Sequence, residues 1–486
     1  MLKLPFLHAT SSSVPQPWDK VLRAISPLVG AVLFAACFPP YNCWPLAFIA
    51  FVPLLLATLS AKNSLQARAI GLIFGSIFYT FTLRWLWQIF PWFCLLLWAV
   101  LALFPALFTW TIYLAKKRWG TAAALIAAPC FWVGIEYFRS ELWWLKFAWL
   151  TPGFSQAANL PLLQTASLIG VYGISALILI INSSCCWLIL KYRHKTPSHP
   201  WKPALISLAC LMTLYLWGAT QLQQITPGKI PVGAIQTETS SLAENTQLSQ
   251  QIPGKPQLIV WPEYSLFEFI DEDTETFQKL SQLAAQLNTH LIVSAKEKVP
   301  EHPDKFYNTA LLLAPNGKKI GSYYKNNPVQ YFDDGTPGKK FPVFPTEIGK
   351  IGIAICYDMD FSHVLINLVK NGAEIIAIPT YDAMWWTPLQ HLQHSAMAPA
   401  RAIEHRRWIV RPTSSGISQI IDPYGRIQTS LPVGETGVIS GLIDRRTDIT
   451  LYNIIGYRIP QSCVFLVIMY LGIELLMAIK FRSKIA

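Results

Sequence analysis

Of 486 residues, 52% are hydrophobic and only 14% are charged, and 39 Lys and Arg against 27 Asp and Glu give a formal charge of +12. Soluble globular chains carry roughly 25% charged residues, so the composition argues against a single soluble domain and excludes intrinsic disorder. A basic surplus on so apolar a chain points to membrane orientation rather than to nucleic acid.

The apolar residues gather in eight stretches: 21–38, 44–60, 66–90, 91–115, 121–138, 163–190, 202–220 and 462–479. A helix needs about 20 mostly apolar residues to cross a bilayer, so these are the expected spans. Stretches 66–90 and 121–138 are the weakest, because they contain Arg84 and Glu136. Met1–Trp18 is rich in Pro and Ser and is not expected to be a removable signal peptide. Basic residues mark alternate connections. Lys3, Lys20 and Arg23 precede the first stretch, and Lys62 and Arg68 lie between the second and third. Lys116, Lys117 and Arg118 follow the fourth, Lys191, Arg193, Lys195 and Lys202 the sixth, and Lys480, Arg482 and Lys484 the last. Positive loops face the cytoplasm. Both termini are therefore expected inside and residues from about 228 to 450 outside.

The outside segment reads as α/β. Short apolar runs at Val232–Gln236, Gln257–Trp261, His290–Ser294, Ala310–Ala314, Ile351–Ile355 and Glu374–Ile378 are expected strands. Between the second and third, Phe277, Leu280, Leu283, Ala284 and Leu287 recur at helical spacing within Asp271–Asn288. The acidic residues at its start suit the positive end of the helix dipole. Further helices are expected over Phe361–Asn371, ending at Gly372, and over Pro388–Arg407. Pro315-Asn316-Gly317-Lys318 marks a turn between two strand-like runs.

Eight of the nine cysteines lie in or beside the apolar stretches; Cys356 alone lies in the outside segment. It follows the strand-like run Ile351–Ile355, and the carboxyl ends of strands are where open α/β sheets place their sites. By position it reads equally as a nucleophile or as a buried inert thiol. A thiol nucleophile needs a base and an oxyanion donor. His290, His391, His394 and His405 have no spacing that ties them to Cys356, and they read as surface or structural residues. Glu263, after Gln257–Pro262, and Lys325, after Ser322–Tyr324, each follow a strand-like run. By position alone they read as solvated strand-end charge. The pairs Trp143-Trp144 and Trp385-Trp386 suit either packing or contact with lipid chains at an interface, where Trp is enriched. Glu136 and Arg139, three residues apart on one helix, read as a structural pair. The sequence contains no phosphate loop, metal-ligand cluster or basic aromatic groove, so no metal, cofactor or nucleic-acid partner is expected.

Trp261-Pro262-Glu263, Tyr324-Lys325 and Ile355-Cys356-Tyr357-Asp358 stand in the order of the nitrilase superfamily's Glu-Lys-Cys triad, and the chain resembles that superfamily here. Arg401-Ala402-Ile403-Glu404 and Ser415-Gly416-Ile417 with Ile421-Asp422-Pro423-Tyr424-Gly425 extend the likeness. In the apolar half, Ala128-Pro129, Trp132, Glu136 to Arg139, Phe147-Ala148-Trp149-Leu150 and Gly153 to Gln156 resemble the bacterial apolipoprotein N-acyltransferases, a membrane branch of the carbon-nitrogen hydrolases. The resemblance implies an inner-membrane enzyme with its catalytic domain on the periplasmic side and both termini cytoplasmic. Its implied chemistry is acyl transfer from a phospholipid, through a thioester, to the N-terminal amine of a diacylated lipoprotein. The implied fold is a multi-span helical membrane domain plus an extracytoplasmic nitrilase-like αββα sandwich. The expected division is 1–20 tail, 21–227 membrane domain with about seven helices, 228–455 catalytic domain, and 456–486 final helix and tail.

By motif, Cys356 is the implied nucleophile, Glu263 the general base and Lys325 the oxyanion stabiliser, helped by a backbone N–H near Tyr357. An ammonium nearby is expected to lower the thiol's pKa. Asp358, Asp333, Trp385, Trp386 and Trp149 are candidates for substrate contact or site support. Three departures from the family stand out. Asp333 replaces a glutamate eight residues after Lys325, the stretch from Lys325 to Cys356 is short, and Gln236–Gln251 lacks a tryptophan. They leave a membrane-anchored amidase, in which water resolves the acyl-enzyme, as the alternative reading.

Overall fold

The computed structural model describes residues 17–193, 199 and 201–482. The expectation for the tail through residue 16, and the charges Lys3, Lys195 and Lys484, lie outside them. Within the described residues the chain forms two compact units. One takes in residues through Asn159, Val171–Trp217 and the stretch from Tyr457; the other is Leu160–Gly170 with Gly218–Gly456.

The first unit is helical. Its main helices are Pro17–Ala35, Val52–Leu59, Ser64–Thr82, Phe93–Tyr137, the helix running to Arg193, Lys202–Gln221 and Arg458–Arg482. Among the described residues, four helical runs are long and apolar enough to cross a bilayer: Phe93–Leu142, Ala166–Arg193, Lys202–Gln221 and Tyr452–Lys480. The eight expected stretches map unevenly onto these. Stretches 91–115 and 121–138 share one run, broken at Gly120, whose φ of 85° is left-handed. Stretch 44–60 becomes the turn Trp44–Leu46 and two short helices, Ala47–Ala50 and Val52–Leu59, with Pro45 and Pro53 at the starts of the turn and of the second helix, where no N–H is needed. In 66–90 the helix begins where the Asn63 side chain accepts the Gln66 N–H at 2.9 Å, and it ends at Thr82, before Arg84. Gly71 and Gly75 let this helix touch its neighbour backbone to backbone. A Cβ on them would lie 2.2 Å from the Pro105 carbonyl oxygen and 2.7 Å from Ala102 Cα. Small residues serve this close approach where apolar burial cannot drive helix association. Glu136 and Arg139 are both buried here. The Trp132 indole donates to Glu136 at 3.3 Å, and Arg139 donates to the Trp149 carbonyl at 3.3 Å.

The second unit is an α/β sandwich. Strands β1 (Ile230–Gln236), β2 (Leu258–Val260), β3 (His290–Val299), β4 (His302–Leu313) and β5 (Lys319–Tyr324) form the first sheet. β6 (Val343–Thr346), β7 (Gly349–Ile353), β8 (Ile375–Ala377), β9 (Trp408–Arg411), β10 (Ser418–Ile421) and β11 (Ile427–Leu431) form the second, and β12 (Gly437–Ile443) returns to the first beside β1. The orders are β12-β1-β2-β3-β4-β5 and β11-β10-β9-β8-β7-β6. Val232, Leu258, Val260, Ile292 and Leu312 of the first sheet pack against Ile351, Ile353, Ile375, Trp408 and Val410 of the second. Alternate residues of the first sheet, Ile235, Ile259, Leu291 and Val293, turn outward onto Leu248, Leu280, Leu283 and Ala284 of the helices Leu242–Gln251 and Thr274–Leu287. Period-two strands apolar on both faces therefore read as nearly continuous apolar runs. Each aliphatic side chain buried this way contributes about 1.5–3 kcal/mol.

Local caps set the helix bounds. Asp273 accepts the Thr276 N–H at 3.0 Å to start Thr274–Leu287, and Asn288 ends it in the left-handed conformation, φ 48°. The expected helix 388–407 is two helices, Pro388–Ser395 and Ala398–His405, because Pro399 has no N–H with which to continue the ladder. The short segment before Gly170 belongs to this unit by its bonds. Gln164 donates to the Tyr424 carbonyl at 2.8 Å, and Arg406 donates to Gln164 Oε1 at 2.7 Å and to Ser167 Oγ at 3.2 Å.

Candidate active site

Four strand exits converge on one cavity. β2 runs parallel to β1 and β3, while β4 is antiparallel to both β3 and β5, so β2 and β5 end on the same side. β2 leads through Trp261-Pro262 to Glu263, β5 leads directly to Lys325, β7 leads to Cys356, and β8 leads to Tyr381. A cavity of about 260 Å³ is lined by Glu263, Lys325 and Cys356 together with Tyr264, Phe332, Asp333, Asp334, Tyr381, Trp385 and Trp386.

The polar groups form one buried network. Lys325 Nζ donates to Glu263 Oε1 at 2.7 Å and lies 2.6 Å from Asp334 Oδ2. Asn308, inside β4, donates from one amide nitrogen to both carboxylates, at 2.7 Å to Glu263 Oε1 and 2.8 Å to Asp334 Oδ1. Tyr264 O–H donates to Asp334 at 2.7 Å. The second Glu263 oxygen accepts the Tyr381 backbone N–H at 2.8 Å. Cys356 opens the tight turn Cys356–Asp360 with a left-handed φ of 49°. Such a conformation is costly for a residue with a Cβ and persists only where the surroundings impose it. Here the Cys356 N–H donates to the Pro379 carbonyl at 2.8 Å, and the thiol reaches the Tyr381 carbonyl at 3.7 Å.

The electrostatics differ from the sequence expectation at the thiol. Burial and the facing Glu263 push Cys356 well above its ordinary value, and Lys325 offsets only part of this. The thiol is therefore neutral at rest. Burial also raises Glu263, Lys325 opposes that rise, and Asp334 adds to it. Burial works against the Lys325 charge, but Asp334 and Glu263 outweigh it and hold the ammonium well above the usual lysine range. A carboxylate made more basic beside a neutral thiol is arranged to take that thiol's proton during attack.

The other expected residues divide. Asp333 lines the cavity, while its neighbour Asp334 makes the contact to Lys325. Asp358 spends both oxygens on structure: it accepts from Tyr323 O–H at 2.8 Å, from the Asn326 and Asn327 N–H groups at 3.2 and 2.7 Å, and from the Ile355 N–H at 3.2 Å. It thus ties the exit of β5 to the turn that carries Cys356. The Tyr357 ring packs edge-on against Phe361 at 4.8 Å. Trp386 packs at a tilt against Phe332 at 5.7 Å and edge-on against Tyr381 at 5.9 Å, and Trp385 is 46% exposed. These aromatics suit an apolar substrate portion. Trp149 lies in the helical unit, buried against Trp85 at 5.1 Å. Asp334, Asn308, Tyr264 and the Tyr381 peptide were missed from the sequence. The adjacent Asp333-Asp334 pair was the one available signal.

Asp334→Asn keeps an acceptor for Tyr264 but removes the charge that raises Glu263. The acid limb of the rate–pH profile is expected to move to lower pH, with turnover reduced about 100-fold as the base weakens and Lys325 loses its second anchor. A profile unchanged in position would separate Asp334 from the base.

Residues 232–449 match the carbon-nitrogen hydrolase family, and residues 30–184 match the apolipoprotein N-acyltransferase N-terminal domain. The chain is 28% identical to the apolipoprotein N-acyltransferase of Geobacter metallireducens over 94% of its own length and 95% of that protein's. It is 27% identical to that of Coxiella burnetii over 87% and 94% respectively. Among solved structures it is 26% identical to Saccharomyces cerevisiae Nit3, a member of branch 10 of the nitrilase superfamily, covering 46% of this chain and 92% of that one at a TM-score of 0.38.

Proposed function

Since the chain belongs to the apolipoprotein N-acyltransferase family, we propose that it moves a fatty acyl chain from a phospholipid to the N-terminal amine of diacylated lipoproteins. The observation that carries this reading is the likeness over both halves of the chain, because a simple amidase has no use for residues 30–184. The basic loops support a place in the inner membrane with residues 228–455 on the periplasmic side and both termini in the cytoplasm.

In the proposed cycle, Glu263 takes the Cys356 proton as the sulfur attacks the donor's ester carbonyl. Lys325, together with a backbone N–H near Tyr357, faces the oxyanion as it forms. The intermediate collapses with the ester C–O bond breaking and the proton passing from Glu263 to the leaving alcohol, which leaves a thioester. The lipoprotein's amine then attacks, Glu263 accepts its proton, and the C–S bond breaks as Glu263 returns that proton to the sulfur, giving an amide, the free thiol and the carboxylate of the resting site. Asp334 and Asn308 hold the lysine and the carboxylate in register throughout.

The test uses the purified full-length protein in detergent with phospholipid labelled in its acyl chain. A hydroxylamine-sensitive label is expected on the protein, and a diacylated lipopeptide is expected to carry it off as an N-acyl product. Release of the label as free fatty acid in the presence of that acceptor would support the amidase reading instead.

A further inference from the structure

Behind the cavity lies a fully buried charged cluster that the proposed cycle does not use. Asp382 Oδ1 accepts from His394 Nδ1 at 2.8 Å and from the Gln390 amide at 3.1 Å, and Oδ2 accepts from Arg411 at 2.9 Å. His394 also lies 3.4 Å from Asp360, the last residue of the turn that Cys356 opens. His391 faces the same cluster and bonds the Ala383 carbonyl at 2.9 Å. Asp382 is held by its backbone as well: its N–H donates to Ser414 Oγ at 3.1 Å, and that hydroxyl donates back to its carbonyl at 3.0 Å. A Cβ at Gly416 would lie 2.5 Å from Asp382 Oδ2, so only glycine leaves room for the carboxylate.

Directly before Asp382 stands Tyr381. Its peptide N–H is the one donated to Glu263 Oε2, and its carbonyl is the one reached by the Cys356 thiol. One imidazole therefore spans two segments, the turn carrying the nucleophile and the loop carrying the backbone groups that hold the base. Burial and the Arg411 guanidinium, 3.0 Å from its Nδ1, work against a charge on His394, but Asp382 and Asp360 outweigh them and raise its pKa to about 9. A buried carboxylate met by an imidazolium and a guanidinium is a rigid anchor, and removing one member leaves an uncompensated charge.

We propose that Asp382, clamped by His394 and Arg411, is a positioning residue that fixes the Tyr381 peptide and through it the orientation of Glu263 towards Cys356. This rests on the acyl-transfer reading above for its substrate, but not for its geometry. The charged groups facing Glu263 are Lys325 and Asp334, with the Cys356 thiol beside them; Ser414→Ala alters no charge, whereas Asp382→Asn also removes a charge that raises the thiol's pKa.

The variants are Asp382→Asn and the milder Ser414→Ala, which deletes only the hydroxyl holding the Asp382 backbone. Both are made in the full-length protein and compared with wild type after counting active sites by labelling. Thioester formation is expected to slow at least tenfold in Asp382→Asn and by a smaller factor in Ser414→Ala, with the KM for phospholipid within twofold of wild type. Without a firm Tyr381 N–H the carboxylate becomes more basic, so the acid limb of the rate–pH profile should rise by about one unit. In Ser414→Ala, which keeps the Asp382 charge, alkylation of Cys356 by iodoacetamide, followed on its own peptide against pH, should show the same displacement without any lipid. In Asp382→Asn the loss of that charge, which raises the thiol's pKa in wild type, offsets part of it. If wild type forms no thioester, the acyl-transfer reading fails while the alkylation profiles still decide the positioning role. A purely structural cluster would lower the number of active sites and leave both profiles where they are. Superimposed profiles for wild type and Ser414→Ala, or for wild type and folded Asp382→Asn, overturn the proposal.

Discussion

Cys356→Ala is expected to insert into membranes like wild type yet acquire no acyl label from phospholipid, with transfer to a lipopeptide down by about 10⁴-fold or more. The substitution removes one sulfur from a buried site and keeps the Cβ, so the left-handed φ of 49° costs alanine no more than cysteine and the fold should not suffer. Glu263, Lys325 and Asp334 stay bonded to one another without the thiol. With no nucleophile the chemistry cannot divide into two easier steps. Equal labelling of the variant and wild type, in a gel assay run with and without hydroxylamine, would move the acyl-enzyme to another residue.

Lys325→Ala is expected to impair both activity and stability. The ammonium sits between two carboxylates, with its side chain 1% exposed and those of Glu263 and Asp334 1% and 6% exposed. Removing it leaves buried negative charge unpaired, a loss of about 3–5 kcal/mol, and deletes the cation proposed to face the oxyanion, worth roughly 10²–10³ in turnover. The sign of the pH effect follows from Glu263. Its folded pKa is raised by burial and by Asp334, with Lys325 as the opposing influence. Without the lysine it rises further above the unfolded value of about 4.3. A group raised in this way stabilises the fold below its unfolded pKa and loses that contribution as pH climbs through the folded one. The gap in melting temperature between variant and wild type should therefore be narrow near pH 4 and wide at pH 8. A gap independent of pH would mean that the ammonium does not compensate these carboxylates.

Much of this architecture was legible in the residues. Runs such as Gln257–Trp261 and Ile351–Ile355 gave away their strands because sheets covered on both faces leave apolar side chains on both. Glu263, Lys325 and Cys356 each follow such a run, but position alone left them as strand-end charge or an inert thiol. It was the resemblance of their motifs to the nitrilase triad that singled them out, and the structure brings them to one cavity. Asp334 was not legible, since which of two adjacent aspartates turns inward depends on the path of the loop after Lys325, and no periodicity encodes that path. Asn308 was hidden because a polar residue within a strand looks like any solvent-facing position until its partners are placed. His394 read as a surface or structural histidine, since its partners Asp360, Asp382 and Arg411 are brought to it only by the tertiary fold. The thiol's pKa was misjudged because the sequence shows that a lysine is available but not how completely the site is buried.

Leu160–Gly170 bears on how the protein can be cut. This segment lies far upstream of the catalytic strands, yet Gln164 and Ser167 bond the buried Arg406 guanidinium, and Gln164 also bonds the Tyr424 carbonyl. A recombinant fragment beginning near Gly218 would contain every strand and every triad member. It would nevertheless leave a guanidinium, and the carbonyl beside it, facing a groove emptied of its own peptide. Such a fragment is an incomplete folding unit, and inactivity in it would say nothing about the chemistry of Cys356. Supplying residues 160–170 by fusion is the minimal repair.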